Sequence, residues 1–354
     1  MKKAISFILA IILSVSMILP LSGCSLEALL NLFNIGDFLG QLIDLDNVLI
    51  DEYLDGDRYV IGSQEYTIGE EGLKEVNIIW INDEVEIVQD SSFQLIEIVE
   101  NDEIEEEAKK VHSLYENGIL NICFAESGYQ GSFKNIDKKL TVRVPLVSDK
   151  INVSNVLGNI SSDELSSKNI TIINTTGSIK IKKVNAEGIG MTSVSGSISS
   201  DDLNSSMIAV ASVSGNITIK KLLALEEATI ENTSGSIKID NSITETLTCG
   251  SISGSINLSN MNAETAAITN TSGKINLDIS GVNNLNVSTA SSAITIKLPE
   301  SGATITFNTT SGSITSPSIT PTGENENIYG DGEAEIIVST TSGSLKIDGF
   351  HQGE

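Results

Sequence analysis

The segment Val194-Ser195-Gly196-Ser197-Ile198 decides the fold, because it returns with small changes along about half of the chain. It recurs, for example, as Val213-Ser214-Gly215-Asn216-Ile217 and as Thr233-Ser234-Gly235-Ser236-Ile237. A fixed period of this length is the signature of a repeat architecture. The marking residues are 19 or 20 residues apart, with a last gap of 31: Gly158, Gly177, Gly196, Gly215, Gly235, Gly254, Gly273, Ser292 in the glycine's place, Gly312 and Gly343.

Three columns of residues, counted from the marking glycine, are apolar in every repeat. They lie seven residues before it, five before it and two after it, as do Ile208, Val210 and Ile217 around Gly215. Polar or small residues alternate with them, which is typical of strands with one face in water. Strands that repeat with identical columns stack in parallel. The sequence therefore predicts an all-β fold, a parallel β-helix or β-solenoid of about ten coils with a right-handed course.

A fourth column, three residues before the glycine, holds only small hydrogen-bonding residues. We interpret it as a structural ladder in which stacked amides and hydroxyls satisfy one another, and a row that binds a ligand is the alternative. We expect the glycines to form corners that need positive φ or close backbone approach. The column comprises Asn155, Asn174, Ser193, Ser212, Asn232, Ser251, Asn270, Thr289, Thr309 and Thr340.

Charges alternate in sign from coil to coil five and six residues after the glycine. The fifth position reads Asp163, Lys182, Asp201, Lys220 and Asp240. Because parallel coils bring these side chains to about 5 Å, a slip of one coil would stack like charges. We interpret the pattern as a device that fixes the register. Paired aspartates such as Asp201 and Asp202 also serve polysaccharide-cleaving β-helices, so a carbohydrate-active enzyme is an alternative hypothesis.

The first residues have the pattern of a secretory signal. Lys2 and Lys3 precede an apolar run over residues 4–19, which is short for a membrane span. The following Leu21-Ser22-Gly23-Cys24 resembles the lipobox of bacterial lipoproteins, in which the cysteine thiol receives diacylglycerol. We expect a lipid anchor at Cys24 on the outer face of the cell membrane, and an ordinary signal peptide that contains a cysteine is the alternative.

The chain divides by pattern into four parts. Residues 76–87 already fit the repeat, with Asp83 at the glycine's position, and the strand over residues 345–350 ends the last coil. We expect that last strand to offer an open edge for weak end-to-end self-association, unless the loop around residues 317–332 covers it. The parts are a signal peptide over 1–23, an anchor-proximal and partly helical cap over 24–70, irregular coils over 71–150, and regular coils over 151–350 with a loop inserted at 317–332. The alternative for the apolar segment after Cys24 is that it lies in the bilayer surface, which the absence of Lys and Arg between Cys24 and Asp57 disfavours.

Composition excludes several functions. The formal charge of −26 repels nucleic-acid phosphate, so we predict no nucleic-acid partner. Two histidines and three cysteines leave little material for metal sites or a disulfide framework, so we predict no metal and no cofactor. We expect Cys123 and Cys249 to be two separate buried thiols rather than a bridge.

These features together resemble a known bacterial family, the "putative adhesin" domains of secreted and surface proteins. The resemblance covers about residues 72–349 and rests on the opening at residues 76–87, the stretch at 112–127, the strand Lys139-Leu140-Thr141-Val142-Arg143-Val144-Pro145 and the repeated Ser-Gly-Ser-Ile units. It implies a β-solenoid and an adhesive role, and it implies no catalytic residues.

Three functional hypotheses follow. The first is a surface adhesin or interaction scaffold, without catalysis, whose flat polar faces bind a glycan or a surface protein. The second is a carbohydrate lyase or hydrolase, which needs carboxylates in an aromatic-lined cleft, whereas only 4% of the residues are aromatic. The third is an envelope-sensing or regulatory lipoprotein with a membrane protein as its partner.

Overall fold

The computed structural model describes residues 48–49, 56–101, 104–133, 136, 138–317, 319–321 and 328–352, and most of them lie in strands. The helical turns of this part are the short 3₁₀ segments Gly56–Arg58 and Glu107–Lys109. Within the described ranges, no helix is long and apolar enough to cross a membrane. The predicted all-β class is confirmed, whereas the predicted signal, the lipobox and residues 24–47 of the predicted cap lie outside the described residues.

The chain forms two compact units, Met1–Ile160 with Thr171–Ile173, and Ser161–Ile170 with Asn174–Glu354. Two strands contain residues of both units, β12 (Ile160–Ser166) and β13 (Asn169–Thr176). The strands of the first unit are β1 (Val48–Leu49), β2 (Val60–Ile61), β3 (Gln64–Thr67), β4 (Glu75–Asn82), β5 (Val85–Gln89), β6 (Leu95–Glu100), β7 (His112–Glu116), β8 (Ile119–Cys123), β9 (Gln130–Gly131), β10 (Leu140–Val144) and β11 (Lys150–Leu157).

The first unit stacks its strands out of chain order. Strand β4 pairs in parallel with β11 on one side and with β8 on the other, so the later strand β8 lies outside the earlier β4. The outer strands are continued by antiparallel neighbours, because β7 pairs with β8 and β6 pairs with β10. Asp83 has a positive φ of 66°, and its backbone lies against Gly158. Asp83 therefore occupies the corner position that the repeat pattern assigns to it.

The second unit is a regular parallel solenoid. Its apolar columns stay in register from coil to coil, as in the series Ile198, Ile217 and Ile237, which are all buried. The predicted β-solenoid is therefore confirmed. Its strands are β14 (Ile179–Asn185), β15 (Gly188–Ser193), β16 (Ile198–Ser212), β17 (Ile217–Asn232), β18 (Ile237–Ser251), β19 (Ile256–Asn270), β20 (Ile275–Thr289), β21 (Ile294–Leu298), β22 (Gly302–Thr309), β23 (Ile314–Thr315), β24 (Ile328–Gly330), β25 (Ala334–Thr340) and β26 (Leu345–Phe350).

The order of the last two coils corrects the sequence prediction. Strand β25 lies between β20 and β22, and β26 lies between β21 and β23. Strand β25 is therefore an inner layer, and β23 covers the first two residues of β26, Leu345 and Lys346. The expected open edge at Leu345–Phe350 is wrong for these two residues, whereas no described strand pairs with residues 347–350 on that side. The long connection between β23 and β25 gives the chain the length to pass the terminal coil and return. Part of this predicted loop is itself a strand, since β24 pairs antiparallel with β22 over residues 302–304.

The corner glycines hold the coils at their closest approach. A Cβ atom at Gly215 would overlap the carbonyl oxygen of Gly196, and one at Gly235 would overlap that of Gly215. Positive φ is needed at fewer of these corners. Among the marking glycines it occurs at Gly158, Gly177 and Gly273, with values of 132°, 113° and 133°. Contact with the neighbouring coil therefore selects glycine at these corners more widely than backbone conformation does.

Replacing a corner glycine tests this steric account. We expect Gly215→Ala to lower the free energy of unfolding by about 1–3 kcal/mol or more, because the clashing atoms belong to the backbone of the next coil and cannot move alone. The matched control is Gly281→Ala, whose Cβ would meet only the flexible side chain of Asn262 at 3.3 Å, with an expected change within about 0.5 kcal/mol. Urea unfolding measures both, and equal losses would contradict the account.

Candidate functional site

The polar ladder binds the backbone of the corner rather than its own neighbours. The Ser212 hydroxyl accepts a hydrogen bond from the Gly215 N–H at 3.0 Å and donates one to the Gly196 carbonyl of the preceding coil at 3.3 Å. Asn232 makes the same two contacts, accepting from the Gly235 N–H at 2.8 Å and donating to the Gly215 carbonyl at 2.6 Å. The expected side-chain-to-side-chain ladder is therefore replaced by side-chain-to-backbone bonds, because an offset of three residues puts the side chain within reach of the glycine amide.

The alternating charges form ion pairs between neighbouring coils. Lys182 Nζ lies 2.7 Å from Asp163 Oδ1, and Lys220 Nζ lies 2.8 Å from Asp201 Oδ1. The hydrogen bond to Asp163 raises the pKa of the exposed Lys182. Asp240 departs from the predicted pattern, since its ion pair at 2.7 Å is with Lys238 of its own strand.

The neighbouring carboxylates at the sixth position are paired in the same way. Lys183 Nζ lies 2.8 Å from Glu164 Oε1, and Lys221 Nζ lies 3.4 Å from Asp202 Oδ2. Asp201 and Asp202, the pair considered for catalysis, thus each face a lysine of the following coil. Ion pairs of this kind between neighbouring coils are what a register device requires, so the interpretation of this column as such a device stays a prediction.

One flat face carries a polar column three residues after each glycine. Its members pair directly with one another in the strand register, at a spacing of about 4.8 Å. Neighbouring amides also bond each other, since Asn276 Nδ2 lies 2.7 Å from Asn257 Oδ1. From Gly177 onward the column comprises Lys180, Ser199, Thr218, Lys238, Asn257, Asn276, Thr295, Lys346 and Thr315.

An open groove of about 470 Å³ crosses four coils at another corner. Leu225 and Ile243 stand in it with 62% and 55% of their surface exposed. Glu245 and Glu264 occupy equivalent positions in neighbouring coils of the groove. Sequence reasoning missed this surface, although the nineteen-residue spacing of the two glutamates was a signal for it.

Glu231 is a carboxylate of the second unit whose pKa is raised by burial. It lies in a strand between Ala211 and Gly250, and burial raises its pKa to about 7. Burial, and then the charge of Glu231, raise the pKa of the neighbouring Cys249 thiol. Cys249 and Cys123 are both buried and free, as the sequence predicted.

The sequence matches a protein-family model over most of its length. The model, described as Toastrack DUF4097, matches residues 83–223 and 197–348. No curated protein matches the chain.

Several solved structures are similar to this chain at low identity. A "putative adhesin" from Parabacteroides merdae is 12% identical, with coverage of 81% of this chain and 96% of that one and a TM-score of 0.39. A "putative lipid binding protein" from Parabacteroides distasonis is 13% identical, with the same coverages and TM-score. A "putative adhesin" from Bacteroides fragilis is 9% identical, with coverages of 82% and 97% and a TM-score of 0.32.

The raised pKa of Glu231 predicts a pH-dependent stability. The folded state keeps a proton that the unfolded state releases above its ordinary pKa of 4.5, so the free energy of unfolding falls between that pH and about 7. Glu231→Gln removes this component and should stabilise the protein at about pH 8 by up to about 3 kcal/mol.

Urea unfolding between about pH 5 and about pH 8 measures the effect. The matched control is Glu227→Gln, in the same strand, which should keep the pH slope of the parent protein. A slope unchanged by Glu231→Gln would contradict the assignment.

Proposed function

Because the chain belongs to the Toastrack DUF4097 family, we propose that it is a surface protein that presents its solenoid to partners outside the cytoplasm, without catalysis. The observation that carries the proposal is the polar column on the flat face of the second unit. Nine side chains stand there in strand register, one per coil, at equal spacing. Such a surface suits a glycan or a protein segment that is gripped by many weak, repeated contacts.

The chemistry of this face supports a polar ligand. Asn257 and Asn276 offer amide donors and acceptors, and Lys238 and Lys346 add ammonium groups that are held by Asp240 at 2.7 Å and by Asp348 at 2.6 Å. Because two of the three lysines of the column are paired with aspartates of their own strands, the face is polar with little charge of its own. It therefore favours hydroxyl-rich or amide-rich ligands over strongly anionic ones.

We also propose a lipid anchor at Cys24. The sequence Leu21-Ser22-Gly23-Cys24 after an apolar run supports it. Two acyl chains on the cysteine thiol supply the double anchoring that stable membrane attachment requires. The polar face would then be held at the outer surface of the cell membrane.

Replacing the anchoring cysteine tests the location. We expect Cys24→Ser to release the protein into the medium or the periplasm and to abolish labelling by radioactive fatty acid, because no thiol remains to carry the lipid. Cys123→Ser, which changes a buried thiol, is the matched control and should stay in the membrane fraction. Membrane attachment of the Cys24→Ser protein would refute the anchor.

Binding through the polar face can be measured with the soluble chain that starts at Ser25, on arrays of glycans and of surface proteins. We expect the double variant Asn257→Glu and Asn276→Glu to lose binding about tenfold or more, because two like charges replace the bonded amides of the face. The double variant Leu225→Ser and Ile243→Ser changes the groove instead and should bind like the parent. Circular dichroism should show that both variants keep the strands of the parent.

The outcomes distinguish binding at the polar face from binding at the groove. Loss of binding in the groove variant alone would move the partner site to the groove. A parent protein that binds neither glycan nor protein on any array would overturn the proposal of a display scaffold.

A further inference from the structure

The terminal coil of the second unit carries a strand edge that is paired on one side. Residues 303–309 of β22 pair with β25, and β23 pairs with β26. On the opposite side, β24 covers only residues 302–304. Among the described residues, no strand pairs with the outer side of residues 305–309 or 314–315. Their outward amide and carbonyl groups form a template for another strand.

In the first unit, further antiparallel strands pair with the outer strands. Its strands β8 and β10 are continued by the antiparallel strands β7 and β6. Strand β6 is followed in turn by β3, and β7 by β2. Edges that are not continued in this way are commonly protected by charged side chains or proline within the strand.

The open edge has neither form of protection within its strands. Residues 301–323 contain no Asp, Glu, Lys or Arg, in a chain whose formal charge is −26. The prolines of this stretch, Pro317 and Pro321, come after β23 rather than within it. It is the longest uncharged stretch after residue 26, although inner coils have shorter ones over residues 203–219, 246–263 and 279–296, and it coincides with the open edge.

The end of the coil also exposes part of the core. Ile314 has 41% of its surface exposed, whereas Ile294 and Leu345, which stand at the same column position, are buried to 1% and 0% exposure. Phe307 of the same coil is partly exposed. A partner that pairs with this edge would bury an apolar side chain in addition to forming main-chain hydrogen bonds.

We infer that this edge pairs with the same edge of a second copy of the chain. A two-fold axis between two identical edges makes their strands antiparallel, which is the arrangement that forms hydrogen bonds perpendicular to the strands. Two copies of an acidic chain repel over charged surfaces, and the uncharged coil is where they approach without that cost. A charged partner would gain no attraction at this edge, whereas a second copy brings the same unpaired groups and a second Ile314. The inference does not depend on the partner proposed for the polar face.

Cysteine crosslinking of the full chain in intact cells tests the inference. Single substitutions Thr306→Cys and Asn308→Cys place a thiol on the edge, where both parent side chains are exposed. The native Cys123 and Cys249 are buried and should not react. With a short bis-maleimide we expect a covalent dimer from an edge cysteine. The control Ser195→Cys, which is exposed on an inner coil of the same unit, should remain monomeric.

A charge on the edge should abolish the dimer. We expect Ile314→Lys, combined with Thr306→Cys, to lose the dimer band, because the two copies would then bring like charges together. Thr304→Lys, also combined with Thr306→Cys, should retain it, because Thr304 already pairs with β24. Circular dichroism would show that each variant keeps its strands.

Each outcome decides the inference. A dimer from Thr306→Cys or Asn308→Cys that Ile314→Lys removes supports it. Equal crosslinking of the edge and of Ser195→Cys would mean random collision and would overturn it. A chain that stays monomeric at both edge cysteines would also overturn it.

Discussion

The whole second unit depends on the contact between the corner of one coil and the corner of the next. The carbonyl oxygen of each corner glycine lies where a side chain on the next glycine would have to stand, as Gly196 and Gly215 illustrate. This approach lets the strands on either side of the corner reach hydrogen-bonding distance along their whole length. The ladder side chains stabilise it, because Ser212 and Asn232 each join the amide of one corner to the carbonyl of the preceding one.

A strict register at the corner also determines the outer surface. Once the coils stack without slip, any residue type that recurs with the period becomes a straight row on the outside. The row of paired lysines and aspartates and the polar row through Asn257 are therefore consequences of one constraint. The same constraint explains why Glu245 and Glu264 stand together at the groove without a lysine between them, since nothing at the corner selects the sign of an outward charge.

Features that recur in every coil could be predicted from the sequence. Features that occur in only one coil could not. The buried columns, the corner position of the glycines and the place of Asp83 all follow from counting residues, because identical environments recur in each coil. The order of the last coils does not follow, because Ile305 and Ile336 belong to the same column and each can stack on Leu285 equally well. The raised pKa of Glu231 was also beyond a pattern argument. It depends on burial beside Ala211 and Gly250, and such burial is a property of one place in the fold rather than of a column.

The inverted order at the end of the second unit has a physical advantage. A last strand that lies on an open edge frays easily, because it is held by one neighbour and by one chain connection. Here β21 pairs with β26 from Leu345 to Phe350, β23 pairs with its first two residues, and His351 just beyond it lies 2.7 Å from Asp278. Although burial opposes it, hydrogen bonds from His351 and Lys297 hold the pKa of Asp278 below its usual value. The open edge is formed instead by β22 and β23. Both ends of each of these strands continue into the chain, and this restraint limits fraying although each strand has a neighbour along one side only.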